Sequence, residues 1–135
     1  MTFALDPRLA ADSIFVADLP LCQLRLMNDS RFPWLVLVPR LDDAVEWTDL
    51  AGERQAELLS EINMAAALLR AIAPSDKLNI GALGNIVRQL HVHVVARCVG
   101  DAAWPGPVWG SGPAAPYDES TRISRIEAIR QALAA

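Results

Sequence analysis

The segment "NIVRQLHVHVVAR" (residues 85–97) decides the fold. Leu90, Val92 and Val94 recur every second residue, the period of a β-strand with one face on a core. On that reading residues 88–97 form a strand whose other face carries Gln89, His91 and His93, neighbours lying about 6.6 Å apart along the backbone. These are the only two histidines of the chain. A carboxamide and two imidazoles in a row can grip a group the size of phosphate.

Three chemistries fit such a row. In the plainest, His91 and His93 are strand residues satisfied by solvent or backbone. In the second, they supply two ligands to a transition metal, whose remaining ligands must come from carboxylates or a distant cysteine. In the third, one imidazole attacks phosphorus while the other histidine and Gln89 hold phosphate oxygens. Imidazole suits that role because its ordinary pKa leaves it neutral, and so nucleophilic, near pH 7.

The rest of the chain limits the choice. Its 135 residues fit a single domain, residues 1–135. Hydrophobic residues make up 53%, yet the longest apolar run, "WLVLV" (34–38), is too short to cross a bilayer. The opening "MTFALDPRLAADS" brings in charge and proline early and does not read as a leader. The expectation is a cytoplasmic protein with no membrane partner. Cys22 and Cys98 match neither a disulfide framework nor a metal spacing and are expected as free thiols. A net charge of −4 provides no field to gather nucleic acid, whereas one phosphorylated ligand needs only a few local donors.

Working outward, "DPRLAADS" reads as a short helix with Asp6 as N-cap and Pro7 at the first helical position. Residues 13–18, 21–28 and 34–39 read as strands, with "NDSRFP" (28–33) as a turn. "WLVLVPR" is apolar on both faces, which predicts a central, covered strand. A long helix is predicted over about 49–73, with Leu58, Ile62, Ala65, Leu69 and Ile72 on one face and Pro74 at its end. "KLNIGALGN" (77–85) reads as a strand entering a glycine turn. Residues 102–117, rich in Pro, Gly and Trp, form an arm or loop. A last helix over 120–133 within residues 118–135 carries Ile123, Ile126, Ile129 and Leu133 on one side, capped by Asp118 or Ser120. The order favours an α+β domain on a mainly antiparallel sheet.

With these elements in place, "QLHVHVV" (89–95) resembles the signature of the histidine triad (HIT) family of nucleotide hydrolases and transferases, His-φ-His-φ-His-φ-φ with φ apolar. Gln89 stands at the first histidine, as in a bacterial QxHxH subgroup. "LMNDSRFPWLVLVPR" (26–40), "LNIGALGNIVRQLHVHV" (78–94) and "WPGPVW" (104–109) extend the resemblance over nearly the whole chain. It implies a HIT-like fold: a five-stranded, mainly antiparallel sheet, a long helix between strands 3 and 4, and a C-terminal helix. It also implies a homodimer joined edge to edge and cleavage of a nucleoside phosphoanhydride or phosphoramidate through a covalent nucleotidyl-histidine. The ligand would be a purine nucleoside phosphate, with no cofactor and no metal.

By the resemblance, His91 is the nucleophile, His93 helps neutralise the phosphate, and Gln89 completes the catalytic set. Asn28 lies where the family binds ribose or base, Asn79 where an asparagine approaches sugar or phosphate, and Gly84 and Asn85 where a turn meets the phosphate. Asn28 and Gly84 have an equally good plain reading as turn residues. Phe32-Pro33-Trp34 replaces a segment that often carries histidine, and an amide at Gln89 cannot carry a proton at neutral pH. Both departures imply weak turnover and leave open a nucleotide-sensing or partner-binding module. Arg88 and Arg97 read as solvated strand ends, Trp34 and Trp47 as core or rim. Trp104 and Trp109 read as anchors for the arm or as platforms for a base.

Overall fold

The computed structural model describes residues 3–135. It shows helix α1 (Pro7–Asp12), strands β1 (Ser13–Asp18), β2 (Cys22–Met27) and β3 (Trp34–Pro39), and a 3-10 turn at Trp47–Asp49. Helix α2 (Gly52–Ile72), strands β4 (Lys77–Gly81) and β5 (Val92–Arg97) and helix α3 (Glu119–Ala134) follow. The five strands form one sheet in the order β1-β2-β3-β5-β4, and every pairing is antiparallel. This is the expected α+β arrangement, with the long helix between β3 and β4.

Each face of the sheet has its own cover. Leu24, Leu26, Leu35, Leu37, Val92 and Val94 meet Leu58, Ala65 and Leu69 of α2 and Ile126 and Ile129 of α3. On the opposite face Trp34, Val36, Val38 and Val95 pack with Leu9 of α1, Phe32 and Val108 of the arm. All six residues of β3 are buried, as its unbroken apolar run predicts. Each such Leu or Val contributes about 1.5–3 kcal/mol on full burial, so β3 is the keel of the fold.

Several boundaries and exposures differ from the sequence reading. Residues 88–91 are not strand, and β5 starts at Val92. Its neighbours run out there: β3 pairs only as far as Leu37 opposite Val92, and β4 ends with Gly81 opposite His93. The Leu90 N–H instead donates to the Ala44 carbonyl at 2.8 Å. Helix α2 begins at Gly52, because the chain first closes the 3-10 turn. Ile123 is half exposed although it shares the spacing of Ile126 and Ile129. Asp118 caps α3, accepting the Thr121 N–H at 2.8 Å. Arg97 is the clearest correction. It is not a solvated strand end but 1% exposed. The arginine donates to both oxygens of Asp101, at 2.7 and 2.8 Å, and to Asn79 Oδ1 at 2.8 Å.

Candidate active site

On the sheet face away from α2 lies a cleft of about 850 Å³. Its floor holds Trp34, His91 and His93; α1, the β2–β3 turn, the β4–β5 loop and the arm form its walls. The antiparallel order dictates this gathering. β3 and β4 flank β5, so Val36 and Gly81 sit opposite His93, and the loops leaving those strands converge above it.

His93 is set in an aromatic box. Ring centroids lie 5.6 Å away for Trp34, 5.5 Å for Trp109 and 4.9 Å for His91. The Trp34 indole Nε1–H donates to His93 Nδ1 at 3.0 Å. A neutral imidazole carries one hydrogen, so with Nδ1 accepting, Nε2 bears it. Burial, with a smaller contribution from neighbouring His91, pushes the His93 pKa down to about 3. His93 is therefore a neutral hydrogen-bond donor at physiological pH.

His91 has the opposite tautomer. Its Nδ1 lies 2.7 Å from the Gln89 carbonyl oxygen, which can only accept, so Nδ1 bears a hydrogen and, in the neutral ring, Nε2 holds the lone pair. His91 is 7% exposed and sits immediately before β5, where the chain enters the sheet. One imidazole thus offers a nucleophilic nitrogen and its neighbour an N–H. Their T-shaped packing holds the two rings at 71° to one another.

The other expected site residues divide. Asn28, Gly84 and Asn85 line the cleft. Gly84 has φ = +70°, a conformation in which a side chain is strained, so the turn needs glycine there. Asn28 also accepts the Tyr117 N–H at 3.0 Å, tying the cleft wall to the start of α3. Gln89 and Asn79 do not line the cleft. Because residues 88–91 leave the strand, alternation fails at Gln89. Its amide accepts the Asp6 N–H at 2.8 Å and donates to the Ala4 carbonyl at 2.9 Å. The Asn79 carboxamide faces Arg97. Arg88 is exposed and outside the cleft, as read from the sequence.

Trp34, Asp29, Arg31, Arg8 and Asp12 also line the cleft, and sequence reasoning missed their placement. Asp29 is 2% exposed. Burial works against its charge, but hydrogen bonds from the Arg31 side chain and backbone, and from Ala115, outweigh it and hold the carboxyl below its usual range. Trp109 is both anchor and wall: it stands edge-on to His93 and lines the cleft, whereas Trp104 packs over Arg97. Trp47 is half exposed and does not line the cleft. Among the described residues no group of three His, Cys, Asp or Glu stands where it could hold a metal ion.

The profile of the HIT domain matches residues 8–99, a span that includes α1 from Arg8 onward, all five strands and both histidines. No curated protein matches the chain. Among solved structures, a histidine triad protein from Sinorhizobium meliloti is 52% identical over 96% of both chains, with a TM-score of 0.94. One from Bradyrhizobium japonicum is 46% identical over 97% of this chain and 98% of that one, with a TM-score of 0.94. One from Marinobacter aquaeolei is 41% identical over 99% and 98%, with a TM-score of 0.95.

Proposed function

The chain belongs to the HIT domain family, and from that premise we propose that residues 1–135 act as one nucleotide-binding unit that hydrolyses or transfers a nucleotidyl group. The substrate class is a purine nucleoside phosphoanhydride or phosphoramidate. His91 Nε2 attacks the phosphorus bonded to the nucleoside, the bond to the leaving group breaks, and a nucleotidyl-histidine forms. Water then cleaves the P–N bond, releasing the nucleoside monophosphate and restoring His91. The His93 Nε2–H donates to a phosphate oxygen as charge builds on it, with the backbone of Gly84 and Asn85 beside it. Asn28 serves the ribose or base.

The observation that carries this reading is the pair of complementary tautomers. A lone pair on neutral His91 and an N–H on His93 are what attack on the phosphorus requires, and in the neutral rings each is set by a bond to a group with only one possible role. The cytoplasmic location and the homodimer remain parts of the proposal. Supporting the dimer, β4 is an edge strand and its Ile80 is half exposed.

A nucleotide-sensing or partner-binding module is the second reading, favoured by one specific feature. His93 is held neutral and the Gln89 amide is engaged elsewhere, so neither supplies a proton to the leaving group. One experiment separates the two. The protein is incubated with adenosine 5′-phosphoramidate or a dinucleoside polyphosphate and its intact mass is measured. A nucleotidyl adduct or released monophosphate, lost in His91→Ala, supports the enzyme. Nucleotide binding with neither product supports the sensor.

A further inference from the structure

Gln89 stands outside the cleft, yet it is bonded to the segment that leads into one of its walls. Its amide holds the Ala4 carbonyl at 2.9 Å and the Asp6 N–H at 2.8 Å, contacts that bridge more than eighty residues of sequence. Asp6 is in turn the N-cap of α1, accepting the Arg8 N–H at 2.8 Å. The helix then lays Arg8, Leu9 and Asp12 along the cleft, with Leu9 buried against the sheet. At the far end of α1 the Asp12 carbonyl accepts the Asn28 N–H at 3.0 Å. So α1 spans the cleft wall from the Gln89 side, two residues from His91, to the Asn28 turn.

Two arginines line the cleft. Arg31 is committed to Asp29 and to Ser111. Arg8 is exposed, and among the described residues no carboxylate pairs with it. It lies at the Gln89 end of the helix, while the one carboxylate on the same helix wall, Asp12, lies at the Asn28 end. A guanidinium so placed suits a second phosphate, one step beyond the phosphate that His91 would attack.

We propose that Gln89 is a positioning residue, a clasp that holds α1 on the cleft, and that Arg8, presented by that clasp, binds the outer phosphate of the substrate. The site then selects an anionic, phosphate-bearing leaving group. The Arg8 assignment rests on the nucleotide reading of the cleft. The clasp does not.

The test uses calorimetric binding of AMP and of α,β-methylene-ADP, which resists cleavage, to the full chain and its variants. Wild type should hold the diphosphate more tightly than AMP. Arg8→Gln and Gln89→Ala should each weaken the diphosphate by about threefold to tenfold while leaving AMP nearly unchanged. The double variant should lose no more than either single one, because both changes remove the same contact. Gln89→Glu keeps an acceptor for the Asp6 N–H but cannot donate to the Ala4 carbonyl, so its loss should be intermediate. Amide exchange at Asp6 should quicken in Gln89→Ala with no nucleotide present. Additive losses, or an Arg8→Gln variant with an unchanged preference for the diphosphate, overturn the Arg8 assignment. Unchanged exchange at Asp6 overturns the clasp. If wild type binds neither nucleotide, the Arg8 assignment falls with the site reading, and Asp6 exchange still decides the clasp.

Discussion

Trp34 and His93 are joined by a hydrogen bond of 3.0 Å in which the indole can only donate, so the tautomer of the buried histidine is set from a neighbouring strand. The register brings them near: Trp34 pairs with Val95, and Val36, two residues on, pairs with His93. A tryptophan at the start of β3 therefore orients His93.

Trp34→Phe keeps the ring and removes the donor. His93 can then place its hydrogen on either nitrogen, and buried Nδ1 loses its partner. Stability should fall by about 1–2 kcal/mol, and the kcat/KM of the proposed reaction by about twofold where half of the rings present the wrong nitrogen. Long-range proton–nitrogen NMR of the imidazole reports the tautomer directly. A pure Nε2–H form in the variant, at undiminished rate, would sink the assignment.

The low pKa of His93 has a definite consequence for stability. In the unfolded chain the group titrates near 6.5, in the folded protein at about 3. Between those values the unfolded state binds the extra proton, so stability rises with pH across that window and is lost as pH falls through it. Above pH 6.5 the contribution is constant. Urea unfolding at a series of pH values should show an acid limb that steepens toward roughly 1.4 kcal/mol per pH unit from this one group. His93→Gln should flatten that limb, and an unaltered slope would show that another group produces it.

Much of the fold was legible because its signals are local. Two-sided apolarity marked β3, Pro7 and Asp6 marked α1, and a long periodic run ended by Pro74 marked α2. The histidine pair was legible for the same reason. What failed was extrapolation of alternation through Gln89, since whether residues 88–91 stay in a strand depends on where β3 and β4 stop, not on their own pattern. Arg97 reads as solvent-facing until Asp101, four residues on in a loop, folds back onto it. The Trp34 contact depends on register across two strands, which no single-strand pattern contains.

Asp101 answers a buried cation. Its hydrogen bonds from Arg97 hold its carboxyl down to about 2, the sign of a pair that is strongly favoured when charged. Asp101→Asn leaves the 1%-exposed guanidinium without a counter-charge, with Asn79 as its remaining acceptor in β4. The cost should be about 3–5 kcal/mol in chemical denaturation. A loss under about 1 kcal/mol would mean that water reaches Arg97 and relieves it.

Glu61 ties α2 to the sheet from the other side. It is 3% exposed, and its two oxygens accept separate backbone donors, Leu21 N–H at Oε2 and Cys22 N–H at Oε1, each at 2.8 Å. Leu21 immediately precedes β2, where its carbonyl accepts the Arg40 N–H at 2.9 Å and its N–H is left to Glu61. Glu61→Gln preserves shape but offers one acceptor oxygen, so one N–H must face an NH₂ group. The variant should lose about 1–3 kcal/mol, and exchange at the Leu21 or Cys22 amide should quicken ahead of the rest of β2. Nucleotide binding should stay as in wild type, because Cys22 belongs to the helix-covered core and the cleft opens on the opposite face. Weakened binding at unchanged Leu21 and Cys22 exchange would instead mean that α2 communicates with the cleft through the sheet.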